Sequence, residues 1–183
     1  MKRRKALTLT ATLMGSSIVG AEVFLNGCTP IDKPKDFVLT EYIPIMEEIG
    51  ETILPESPES PGAKAAHIGN FMNTIVTDCY NMSEAEIFKN GLVKITNSAK
   101  TQFNQSFVDL PANDKYSLIA AFDKESHDGK DDGPDHFFTM MKQLAIWGYF
   151  TSEPGATKAL KYNPIPGRYD ACVDYSPGDK AWV

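Results

Sequence analysis

A chain of 183 residues with 42% hydrophobic side chains is long enough for one domain with a core of its own and short for two. Its formal charge of −6, from 18 basic and 24 acidic residues, argues against nucleic acid as a partner, because phosphate binding needs Lys and Arg in excess. After residue 30 no run approaches the roughly 18 apolar residues that span a bilayer, so any membrane attachment has to come from the N-terminus.

That N-terminus reads as a targeting segment, residues 1–27, with the basic start Lys2-Arg3-Arg4-Lys5 and a moderately apolar stretch from Ala6 to Ala21. Arg3 and Arg4, followed by Lys5-Ala6-Leu7, resemble a twin-arginine signal, by which proteins cross the inner membrane already folded. An ordinary secretory signal that contains Arg-Arg is the alternative, since Lys2 stands where that signal usually has Ser or Thr. Leu25-Asn26-Gly27-Cys28 resembles a bacterial lipobox, with lipidation expected on Cys28. Each buried methylene adds about 0.8 kcal/mol, so two or more acyl chains there would hold a soluble domain firmly at a membrane. Residues 28–39 then form a tether and 40–183 the domain, and the expected location is the periplasm, as a membrane-anchored lipoprotein. Loss of the four basic residues and Glu22 in residues 1–27 leaves 14 basic and 23 acidic residues, a net charge near −9. Cys79 and Cys172 are then an even pair in a compartment that permits disulfides; a bridge between them and two separate buried thiols are both open.

The first helix is expected over residues 41–54, with Ile43, Met46, Ile49 or Gly50, and Ile53 at helical spacing, Pro44 in the first turn and Pro55 as the stop. Glu56 to Gly62, with two Ser-Pro pairs, is a loop. A second helix places Ile68, Phe71, Met72, Ile75, Val76 and Cys79 on one face. Ser83 and Glu86 have capping-box spacing, which predicts a third helix from there towards Phe107, with Ile87, Leu92, Ile95, Ala99 and Phe103 inward. Gly91 weakens that helix by about 1 kcal/mol relative to Ala. Leu110-Pro111-Ala112 starts a fourth helix through Tyr116, Ile119 and Phe122, and Asp123 to Pro134 reads as a charged loop. A fifth helix spans about Asp135 to Tyr149, and the Pro- and Gly-punctuated segment after it cannot be regular. The expected fold is all-α: an irregular bundle of about five helices with a long, loop-rich C-terminal arm. The fifth helix is apolar on more than one face, which requires either cover by that arm or a protein interface.

Constellations that carry chemistry do not assemble. The loop from Asp123 has Asp128 where an EF-hand needs glycine and Pro134 where it needs glutamate. His67, His127 and His136 lack the spacing that puts two ligands on one helix face, and no cysteine pair is CxxC. P-loop, GxGxxG and GxSxG are missing, so no catalytic, cofactor-binding or metal residue is assigned. His136 and Asp135 read as the polar start of the fifth helix.

Lys142-Gln143-Leu144, Gly148-Tyr149-Phe150-Thr151-Ser152-Glu153-Pro154-Gly155-Ala156-Thr157, Pro166-Gly167-Arg168-Tyr169-Asp170-Ala171-Cys172 and Ala181-Trp182 together resemble the C-terminal signature of the gluconate 2-dehydrogenase subunit 3 family. Ile49 to Pro55 (IGETILP), Ser60 to Ala63 (SPGA) and Asp78-Cys79-Tyr80 are similar to its earlier segments. The resemblance implies the accessory small subunit of a membrane-associated, FAD-dependent sugar or sugar-acid dehydrogenase. Such a subunit carries no cofactor; FAD sits in the large glucose-methanol-choline type subunit, often beside a cytochrome c subunit. It also implies that the twin-arginine signal exports the flavoprotein as a passenger. The expected contacts to the large subunit are Trp147, Tyr149, Phe150, Glu153, Arg168, Tyr169 and Trp182, with Arg168 offering a planar set of donors to a carboxylate or carbonyl. The competing reading is a stand-alone periplasmic lipoprotein whose cleft between arm and bundle stacks Trp and Tyr on a sugar or quinone.

Overall fold

Five α-helices order the chain in the computed structural model, which describes residues 37–128, 136–165, 167–168 and 172–183. Arg3, Arg4, Cys28, Tyr169 and most of the 28–39 tether lie outside the described residues. Helix α1 (Ile43–Ile53) follows a 3-10 turn at Thr40–Tyr42, carries Pro44 in its first turn and ends where Leu54 becomes extended ahead of Pro55. A short 3-10 turn, Ala63–Ala66, leads through a left-handed His67 into α2 (Ile68–Asp78). Helix α3 (Met82–Phe103) starts two residues earlier than Ser83 suggests. Asn81 Oδ1 accepts the Glu84 amide at 3.0 Å, and the Glu84 carboxylate accepts the Asn81 amide at 3.0 Å. The capping box is therefore Asn81 with Glu84, because the side chain that precedes the first turn, and not the second residue inside it, reaches the unpaired amides.

Helix α4 (Ala112–His127) runs five residues beyond its expected end, so Asp123 to His127 is helix and not loop. The extra turn is held from outside: Lys142 Nζ reaches Asp123 Oδ1 at 2.7 Å, and Lys94 Nζ reaches Glu125 Oε1. Helix α5 (Phe137–Thr151) is capped by His136, whose Nδ1 accepts the Phe138 amide at 3.2 Å.

The core explains the apolar girth of α5. This helix packs against all four others, so Phe137, Phe138, Met140, Met141, Leu144, Ala145 and Tyr149 are buried by α1 to α4, while Ile146 and Trp147 stay exposed. Of the arm, the turn at Gly155–Ala159 also packs against it. Phe88, Phe107, Met46, Ile49, Ile68, Met72, Leu92 and Ile95 complete the interior, with no buried charged residue among the described ones. Gly91 is where α3 meets α5: a Cβ there would lie 2.3 Å from Phe137 Cδ2. Its role is close approach, which outweighs its poor helix propensity. No described helix is long and apolar enough to cross a membrane.

Beyond α5 a single π-helical turn, Gly155–Ala159, gives way to extended backbone. Gly155 sits so close to the Tyr149 carbonyl that a Cβ would overlap its oxygen. Residues 161–163 pair with 181–183 in parallel: Lys161 N to Ala181 O at 2.8 Å, Val183 N to Lys161 O at 3.2 Å and Asn163 N to Val183 O at 3.0 Å. The expected bridge between Cys79 and Cys172 is not formed; both thiols are free and exposed. The α2 helix ends at Asp78, so Cys79 is its C-cap at the exposed end and does not join the inward stripe that finishes at Val76.

Candidate partner interface

Three neighbouring carboxylates of α1 each hold a different element. Glu51 Oε1 accepts the Glu56 amide at 3.0 Å and its Oε2 accepts the Lys64 amide at 2.9 Å, drawing in the loop between them. Glu48 receives Lys64 Nζ at 2.7 Å and Lys115 Nζ at 2.9 Å, joining the 63–66 turn and α4 to α1. Its partial burial works to raise its pKa, but the hydrogen bonds and charges of the two lysines outweigh this and hold it below the ordinary carboxylate value. Glu47 has its pKa raised, chiefly by burial, against a hydrogen bond from the Gly69 amide in the first turn of α2. A carboxylate there compensates for a helix start whose own cap, His67, offers no side-chain hydrogen bond.

The same loop is fastened from the other side by α5. Tyr149, 4% exposed, donates its hydroxyl to the Pro61 carbonyl at 2.5 Å and lies against Ser60 Oγ. Ile49–Pro55, Ser60–Ala63 and Gly148–Gly155 are far apart in sequence, yet they meet at this one junction. Ala63 is fully buried and close to Gly50. A Cβ on Gly148 would come within 2.5 Å of both Ile68 and Phe71. The small residues thus set how closely α1, α2 and α5 approach.

Beside the junction, α2 and α5 present a shared outer face without charge. Residues 68–77 and 143–152 contain no Asp, Glu, Lys, Arg or His in a chain that is 23% charged. On α5, Gln143, Ile146, Trp147, Phe150 and Thr151 follow at three- and four-residue intervals; on α2, Asn70, Phe71, Thr74 and Ile75 do the same. Trp147 is 52% exposed at the centre, its ring edge-on to Phe71 with centroids 5.3 Å apart. Depletion of charge around an aromatic anchor is the composition of a protein-interface core.

The expected contact residues separate into groups. Trp147 and the half-buried Phe150 belong to this face, and Glu153 is exposed just past its end. Tyr149 points inward and serves the junction, so it is not available at the surface. Arg168 and Trp182 are exposed in the arm, where Lys161 Nζ lies 3.8 Å from the Trp182 ring centroid. The contribution of α2, above all Phe71, was not anticipated; the absence of ionisable residues over two ten-residue stretches is the signal that locates it. Two surface depressions are open to solvent, one lined by Lys124, Glu125, Asp128 and His136, the other by Asn90, Lys94, Asn97 and Thr101. Among the described residues no group of three or more His, Cys, Asp or Glu side chains is placed to hold a metal ion.

The profile of the family described as gluconate 2-dehydrogenase subunit 3 matches residues 41–167, which takes in α1 to α5, the junction and the charge-free face. The chain belongs to the gluconate 2-dehydrogenase subunit 3 family. Membership implies an accessory subunit of a dehydrogenase complex, with a catalytic partner. The match ends at Gly167. No curated protein and no solved structure matches the chain.

Proposed function

We propose that this chain is the non-catalytic small subunit of an FAD-dependent, glucose-methanol-choline type sugar or gluconate dehydrogenase, lipid-anchored in the periplasm. It binds the large flavoprotein subunit, carries it out of the cytoplasm on the Arg3-Arg4 signal, and holds it at the membrane through lipid on Cys28. A cytochrome c subunit completes the electron path from the flavin. The observation that supports the reading most is the charge-free α2/α5 face centred on Trp147 and Phe71, inside the region shared with the family.

Co-expression with the flavoprotein from the same locus tests this. The two copurify, and replacing Trp147 and Phe71 by alanine weakens the complex by about 30-fold, as expected for a central aromatic anchor worth about 2 kcal/mol. Replacing Arg3 and Arg4 by lysine retains both proteins in the cytoplasm. Correct export of an active dehydrogenase from cells lacking this chain would refute the reading, and direct binding of a sugar or quinone by the purified monomer would favour the stand-alone lipoprotein.

A further inference from the structure

The paired segments of the arm end in an unfinished sheet. Ala181 and Val183 face strand 161–163 through their backbone groups, so the intervening Trp182, and Lys180 before it, turn their amides and carbonyls the other way. Among the described residues the main-chain groups of these two find no hydrogen-bond partner, and both residues are exposed. An exposed edge of this kind is a template for another strand.

The charge around this edge is opposite to that of the chain. Lys161 Nζ stands over the Trp182 ring and Lys180 Nζ donates to the carbonyl of Lys158 in the preceding turn, so three lysines come from adjoining segments, against one neighbouring carboxylate among the described residues, Asp179, which accepts the Ser176 amide. Among the described residues none of Lys158, Lys161 and Lys180 pairs with a carboxylate, whereas Lys64, Lys94, Lys115 and Lys142 all do. Trp182 supplies an apolar surface beside them, 55% exposed and held in place by Lys161.

We infer that the edge formed by Lys180 to Val183 docks an extended acidic segment of the catalytic subunit by strand addition. The lysines select its charge and Trp182 packs on an alternate side chain. The edge acts beside the α2/α5 face as a second element of partner selection. This inference rests on the proposed complex with a flavoprotein.

Amide hydrogen exchange on the full-length chain, alone and copurified with its flavoprotein, reads the edge directly. The Lys180 and Trp182 amides exchange freely in the isolated chain and slow by at least about tenfold in the complex. A variant with Lys158→Glu, Lys161→Glu and Lys180→Glu binds the flavoprotein about tenfold more weakly, with the loss growing as salt is lowered, while its own melting temperature is unchanged. If the flavoprotein binds with those amides unprotected and the triple variant keeps full affinity, this inference alone falls. Failure of any flavoprotein to copurify removes the underlying reading as well. Concentration-dependent protection of the edge in the isolated chain would identify a second copy as the occupant and overturn the assignment to a catalytic subunit.

Discussion

Replacing Gly91 by alanine sets two physical effects of opposite sign against each other. In an isolated helix the change stabilises by about 0.8–1 kcal/mol, since alanine restricts the unfolded chain and propagates helix better. In this fold the new methyl would stand 2.3 Å from Phe137 Cδ2, 2.4 Å from Cγ and 2.6 Å from Cβ, all closer than real contacts allow. The ring has little freedom to retreat: it is 7% exposed, packs edge-on to Phe122 at 5.5 Å and begins the central helix. Relief therefore requires α3 and α5 to separate, and overpacking of that kind costs about 1–3 kcal/mol. The net expectation is destabilisation by up to about 2 kcal/mol, or a melting temperature lower by up to about 8 °C for a domain of this size. Urea unfolding followed by circular dichroism measures it, with an unchanged m-value showing that only stability moved. Asn90→Ala, on the exposed neighbouring position of the same helix, isolates the propensity effect and is neutral or slightly stabilising. A Gly91→Ala protein more stable than its parent, showing the propensity gain uncancelled, refutes the close-approach argument.

Other outcomes follow from the same geometry. Tyr149→Phe leaves the Pro61 carbonyl only the longer bond from the Ser60 hydroxyl at 3.3 Å and lowers stability by about 0.5–1.5 kcal/mol in denaturant titration, and the loop from Ser57 to Gly62 becomes more open to proteolysis. Asn81→Ala removes the α3 cap and costs about 1 kcal/mol, whereas Ser83→Ala costs almost nothing; equal effects would overturn the capping register. Glu48 has a folded-state pKa below 4.5, so its contribution is complete above that pH and is lost as pH falls through the folded value. The stability gap between the parent and Glu48→Gln is therefore widest near neutrality and closes in acid. Glu47 acts in the opposite direction: its pKa is raised on folding, so its charged form becomes a liability as pH climbs from 4.5 through the folded value. Stability measured against pH in a Glu47→Gln variant lacks that decline.

What the sequence discloses about this fold is what depends on near neighbours. The α1 boundaries follow from Pro44, the stripe of Met46 and Ile49, and Pro55, all local in their effect. The α3 start is misread by two residues because Asn81 and Ser83 are both good caps, each with a glutamate three residues on. Only the backbone shows which one faces free amides. The extra turn of α4 depends on Lys94 and Lys142, lysines from two other helices, which no periodicity within residues 112–127 reveals. Trp147 is recognisable as a surface aromatic, but Tyr149, two residues away, is not recognisable as an internal clamp, since its partner lies 88 residues earlier. The charge-free face was legible in principle. It requires α2 and α5 to be read together, and their adjacency is a tertiary fact.

The central position of α5 also dictates when the chain can fold. The ribosome makes this helix last among the five, so α1 to α4 emerge with Met46, Ile68, Met72, Phe88 and Leu92 facing a site that is still unmade. Neither the core nor the Tyr149 tie to Pro61 can close before residue 151 has left the ribosome, and until then the nascent chain shows apolar surface to any chaperone present. Folding of this protein is thus deferred until α5 has been made, and whatever holds the nascent chain until then is part of how the subunit comes to be made.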